Sequence, residues 1–132
     1  MDERKRKQVK SRQIAVTIDG IHTDVVLSEF VDVVHVLVTQ RQKVGHLFEC
    51  SSDGGVSGED GSETFSVDCL LGSRETVEEV YARQIVAALP TEKKLLIALA
   101  LQQKEPPLSM LHGLLAVLKA NAFWALPKDQ FQ

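Results

Sequence analysis

The chain has 132 residues, of which 44% are apolar and 25% are charged, and its formal net charge at pH 7 is −3. This length fits one domain with a substantial hydrophobic core. No apolar run approaches the ~20 residues of a membrane-spanning helix, and the N-terminal sequence MDERKRKQVK lacks the apolar stretch of a signal peptide. We therefore expect no membrane partner and a cytoplasmic protein, in which the two cysteines are reduced.

The charge is unevenly distributed along the chain. Residues 1–12 contain six basic and two acidic residues, whereas the remainder contains nine basic and sixteen acidic residues. An acidic body argues against nucleic acid as a partner. Residues 1–12 are predicted to form a disordered basic arm, and a nuclear-localisation signal is the alternative interpretation.

The first predicted element is a β-hairpin within residues 13–30. Two runs rich in β-branched residues flank Asp19-Gly20. Asp-Gly between two such runs favours a type I′ turn, because both central positions of that turn need a positive φ. Pairing of Ile18 with Ile21 then sets the register of the hairpin.

Three further strands are predicted before the first helix. The run VDVVHVLVTQ is apolar on both faces, which is typical of a central strand covered on both sides. A short polar turn leads to the strand VGHLFECS. Residues 51–63 are rich in glycine, serine and acidic residues and predict a long mobile loop. The run TFSVDCLLG then returns as a fifth strand.

The hydrophobic period changes in the C-terminal half. The segment SRETVEEVYARQIVAALP predicts an amphipathic helix, with Thr76 and Glu79 as a capping box and Ser73 as a competing N-cap. KKLLIALALQ predicts a sixth, buried strand, and LSMLHGLLAVLKANAFW predicts a second amphipathic helix. The expected buried residues of the helices are Val77, Val80, Tyr81, Gln84, Ile85 and Ala88 in the first, and Leu111, Leu114, Leu115, Leu118 and Ala122 in the second.

Together these elements predict an α+β domain over residues 13–124, followed by a C-terminal tail at 125–132. The expected architecture is a six-stranded antiparallel sheet with two flanking helices. Two helices can cover only one face of such a sheet. Since a large exposed apolar face is rarely tolerated, we expect two sheets to pack face to face in a dimer, forming an intersubunit β-sandwich.

The central strand offers two candidate faces for this contact. The predicted dimer-interface or partner-facing residues are Val34, Val36, Val38 and Phe48. The alternative face carries Val31, Val33 and Leu37, with Phe48 of the following strand, and the alternation alone does not decide between the two.

No catalytic, metal or cofactor site is predicted. The P-loop, G-x-S-x-G, C-x-x-C and H-E-x-x-H patterns are absent from the sequence. If the third and fourth strands pair through Gln40 and Lys43, then His35, His46 and Cys50 share one face. Three ligands suffice for a catalytic zinc, but no acidic residue completes the site. A small metal-dependent enzyme is therefore the weaker alternative.

The stretch HVLVTQRQKVGHLFE resembles the central hairpin of the proteasome assembly chaperone 3 family. TDVVLSEF, VDCLLGSRE and KKLLIALALQQK follow the same order as in that family, and the resemblance covers residues 13–124. Its most specific part is Val38-Thr39-Gln40 with Lys43 and Gly45.

The resemblance implies a non-catalytic function and a set of protein partners. Such a chaperone pairs with a related fourth chaperone or with itself. The pair helps to assemble the α-subunit ring of the 20S proteasome. The alternative that the residues leave open is a dimeric scaffold or adaptor unrelated to the proteasome.

Overall fold

The computed structural model describes residues 10–42, 45–56, 63–73, 75–89 and 91–125. Two helices, α1 (Val77–Ala88) and α2 (Leu108–Asn121), are followed by a 3-10 turn at Phe123–Ala125. Neither helix has the length and apolarity needed to span a membrane. The six strands are β1 (Lys10–Ile18), β2 (Ile21–Glu29), β3 (Val33–Thr39), β4 (His46–Val56), β5 (Glu63–Leu71) and β6 (Lys94–Ala100).

The predicted β1–β2 hairpin is confirmed. Ile18 pairs with Ile21, and Asp19 and Gly20 have φ angles of 51° and 79°. These angles are those of a type I′ turn, whose twist matches that of the two strands. The register of the whole hairpin therefore follows from its two turn residues.

Two predicted boundaries differ from the structure. β1 begins at Lys10, because Lys10 lies opposite Glu29 and extends the ladder with β2 by three residues. β4 reaches Val56 and β5 begins at Glu63, so part of the predicted loop is strand. Residues 1–9 of the predicted arm, 57–62 of the loop and 126–132 of the tail lie outside the described residues.

The sheet is mixed, and the prediction of an antiparallel sheet is wrong. Its strand order is β1-β2-β3-β6-β4-β5. β3 and β6 are parallel, while the other neighbouring strands are antiparallel. The chain leaves β5 through α1 and returns to place β6 between β3 and β4. This central position shelters most of the apolar residues of β6 from water, while Lys94 at its start is exposed.

Both helices lie on one face of the sheet and close the core there. α1 packs against β4, β5 and β6, and α2 packs against β1 and α1. The buried residues of α1 differ in part from the prediction. Val80, which is 53% exposed, and Gln84 were expected to be buried but are exposed, while Ala82 and Val86 are buried. In α2, Leu114, Leu118 and the following Ala122 are buried as predicted, together with Met110. The largest fully buried side chains of this core are Phe48, Leu27, Ile85, Leu89, Leu95, Ile97, Leu99, Met110, Leu114, Leu118, Val25 and Val34.

The predicted cap of α1 is present in modified form. Thr76 Oγ1 accepts a hydrogen bond from the backbone N–H of Glu79 at 3.3 Å. The Glu79 carboxylate accepts the backbone N–H of Glu75 at 2.8 Å, one residue before the cap. The two bonds satisfy backbone donors at the start of the helix, as a capping box does.

Candidate functional site

The structure places the four predicted interface residues in the core. Val34, Val38 and Phe48 have no exposed surface, and Val36 is 1% exposed. All four belong to the cluster packed beneath the helices. A side chain in this position cannot contact a partner unless the helices leave the sheet, so the candidate surface moves to the opposite face.

The predicted grouping of His35, His46 and Cys50 is wrong, because β6 separates β3 from β4. His35 pairs with Leu96, which in turn pairs with Glu49. His35 therefore lies on the face away from the helices, while His46 and Cys50 lie on the helix side. Within the described residues, no group of three His, Cys, Asp or Glu side chains is placed to hold a metal ion.

The Cys50 thiol is also unreactive in this fold. Burial raises the pKa of its thiol to about 12. The thiolate is the form that attacks electrophiles and binds metals. Cys50 is therefore protonated at neutral pH and packs as a small apolar residue.

The face away from the helices, which we call the open face, carries a continuous line of apolar residues. Neighbouring members are register partners on adjacent strands from β2 to β5. This apolar row crosses the strands and consists of Val26, Leu37, Ala98, Leu47 and Leu71. Leu71, at the edge of the sheet, is 56% exposed. A row of this kind presents one apolar band to whatever lies on the open face.

A more polar row runs beside the apolar row on the open face. Its register partners are Ser28, His35, Leu96, Glu49 and Asp68. The His35 ring contacts Phe30, with ring centroids 4.7 Å apart, and Lys94 Nζ lies 3.8 Å from a Glu49 oxygen. The open face thus combines an apolar band with charged groups beside it, as protein interfaces do.

The sequence contains a signal for the open face, but it does not show which residues of different strands lie side by side on that face. Leu37 belonged to the alternative face of the central strand, and it is this face that is free of helices. Leu47, Leu71 and Ala98 were missed, because their alignment with Leu37 depends on β6 lying between β3 and β4.

Gln40 organises the end of the sheet where β3 and β6 stop. Its Nε2 donates to Thr23 Oγ1 at 3.0 Å and lies 3.3 Å from Met110 Sδ. Its Oε1 accepts the backbone N–H of Gln102 at 3.0 Å. One side chain therefore connects β2, α2 and the segment that follows β6.

Gln40→Ala is expected to lower the free energy of unfolding by about 1–3 kcal/mol, because two hydrogen bonds are lost: Thr23 Oγ1 loses the donor that Gln40 supplies, and the Gln102 N–H loses its acceptor. Gln102→Ala is the matched control, since Gln102 takes part through its backbone. Urea denaturation of both variants measures the difference. Equal stabilities would show that the Gln40 side chain contributes nothing.

Comparison with known proteins gives matches to one family. The family model described as proteasome assembly chaperone 3 matches residues 36–121. The chain is 39% identical over 104 residues to proteasome assembly chaperone 3 of Nematostella vectensis, covering 72% of this chain and 77% of that protein. It is 29% identical over 115 residues to the Bos taurus protein of the same name, covering 86% and 93%.

A solved structure shares the fold. It is titled "Crystal Structure of a Novel Chaperone Complex for Yeast 20S Proteasome Assembly". The match covers 84% of this chain and 97% of that chain, with a TM-score of 0.64 and 17% identity. This likeness supports the architecture, and the sequence matches supply the identification: the chain belongs to the proteasome assembly chaperone 3 family.

Proposed function

We propose that this chain is a non-catalytic chaperone that, with a related partner chaperone, promotes assembly of the α-subunit ring of the 20S proteasome. The family match and the shared fold with a subunit of a 20S assembly chaperone complex support this function. The chain would act through its surfaces. It would hold α-subunits in order by shape and charge complementarity, with an affinity that permits release.

The partner chaperone, which we propose is a member of the fourth chaperone type, packs on the open face. The observation that carries this proposal is the apolar row across β2, β3, β6, β4 and β5. An apolar band on a sheet is best covered by the apolar face of a second sheet. Two related sheets would then form a β-sandwich between subunits, and a second copy of this chain can occupy the same face.

Affinity purification of the tagged chain with mass spectrometry tests the function. Cytoplasmic and nuclear extracts are used separately, because we expect a cytoplasmic protein and residues 1–12 are a candidate nuclear-localisation signal. We expect recovery of proteasome α-subunits and of a second small chaperone. Recovery of neither would refute the proposal, and recovery of unrelated proteins through the open face would instead favour a general adaptor.

A further inference from the structure

A groove opens at the end of the sheet, at a different place from the open face. It is formed by the segments that follow β3 and β6, by the start of β4 and by the first turn of α1. Its volume is about 530 Å³. We call it the sheet-end groove. The lining residues that matter for its chemistry are Arg41, His46, Glu78, Gln102, Gln103 and Lys104.

The position of the sheet-end groove allows it to act while the open face is occupied. The groove lies on the helix side and at the end of the strands, whereas the apolar row crosses the middle of the opposite face. A chaperone whose open face is covered by its partner needs another surface for its client. The sheet-end groove is a candidate for that surface.

Two walls of the groove are held in place by contacts away from the opening. Gln40 fixes the segment after β6 through the backbone N–H of Gln102. The His46 ring stacks on Phe48, with ring centroids 6.2 Å apart and an angle of 11° between the ring planes. Gln40 belongs to the part of the sequence that carries the family resemblance, so this motif shapes the groove.

The most exposed charged side chains of the groove are positive. Arg41 and Lys104 are exposed, and within the described residues neither lies within ion-pair distance of a carboxylate. The carboxylate among the lining residues is Glu78, whose side chain is 13% exposed and lies 3.9 Å from His46 Nδ1. Glu78 is thus mostly withdrawn from solvent, whereas the side chains of Arg41 and Lys104 are exposed to solvent.

We propose that the sheet-end groove binds an acidic segment of a proteasome α-subunit while the open face holds the partner chaperone. This inference rests on the proposed function, since it assigns the client to a second surface of the same chaperone. Carboxylates of the client would pair with Arg41 and Lys104, and the glutamine side chains of the rim would donate hydrogen bonds to them.

The test compares two double variants of the full-length chain. Arg41→Gln with Lys104→Gln removes the groove cations, and Lys10→Gln with Lys119→Gln removes two exposed cations elsewhere. Binding of each purified α-subunit is measured by interferometry at low and high salt, and self-association is measured by sedimentation. We expect the groove variant to bind about tenfold more weakly at low salt, with unchanged self-association. The control should retain the affinity of the unsubstituted chain.

The outcomes separate this inference from the proposed function. If the unsubstituted chain binds no α-subunit, the proposed function fails. If it binds an α-subunit and the groove variant binds equally well, the groove assignment is overturned while the function stands. Equal losses in the groove and control variants would also overturn the assignment, because they would show a general charge effect.

Discussion

Val36→Asp is expected to destabilise the folded protein strongly, whereas Leu37→Asp is expected to leave its stability nearly unchanged and to prevent pairing through the open face. The two residues are adjacent in β3 but point to opposite faces of the sheet. Val36 is 1% exposed beneath the helices. An unpaired carboxylate there loses its hydration and costs about 3–5 kcal/mol, a large part of a net stability of about 5–15 kcal/mol.

Leu37 lies in the apolar row, where an aspartate reaches water as long as no partner is present. Pairing of two sheets would bury that carboxylate in an apolar band, so the loss falls on association. Circular dichroism during urea denaturation measures folding, and sedimentation equilibrium at matched concentrations measures the dimer. A self-associating chain should also show a denaturation midpoint that rises with protein concentration, and Leu37→Asp should remove this rise.

Each half of this comparison can fail separately. A folded Val36→Asp variant with native stability would contradict the assignment of that side to the core. A Leu37→Asp variant that still pairs as well as the unsubstituted chain would exclude the apolar row as the interface. If both variants unfold, Ser28→Asp replaces Leu37→Asp in the pairing measurement, because it places a carboxylate in the neighbouring polar row of the open face.

The local parts of this fold could be predicted, and the part that joins distant segments could not. The β1–β2 register follows from Asp19 and Gly20, because a two-residue turn fixes the pairing of its flanking strands. The position of β6 between β3 and β4 depends on a return of the chain through α1. No turn signal encodes that return, so successive strands were expected to be neighbours.

The choice between the two faces of β3 could not be made from the sequence for a related reason. β3 is apolar on both faces, so alternation cannot say which face the helices cover. The structure assigns Val34, Val36 and Val38 to the helices and leaves Leu37 on the other side. The expectation of a partner follows from the apolar pattern of the strands and the number of helices, whereas a proposal for the residues that would meet the partner requires the strand order.

The second large effect is expected at Gly45, where Gly45→Ala should cost about 2–5 kcal/mol of stability. Gly45 has a φ of 72°, and an added Cβ would overlap the carbonyl oxygen of Leu99 and lie 2.8 Å from the Cβ of Ala100. Leu99 and Ala100 are the last two residues of β6, which lies at the centre of the sheet. Relief would require the backbone of a central strand to move, which adds to the cost of a positive φ.

Comparison with Gly20→Ala isolates the part of the Gly45→Ala effect that comes from steric overlap. Gly20 has a similar φ of 79°, and an added Cβ meets no atom within 4 Å. Its substitution should therefore cost only the conformational penalty, about 1–2 kcal/mol. Urea denaturation of both variants under one set of conditions gives the difference. Equal losses of stability would mean that the backbone at Gly45 can shift to make room for the added Cβ. The close approach of Gly45 to β6 would then not explain why a glycine stands in this part of the sequence.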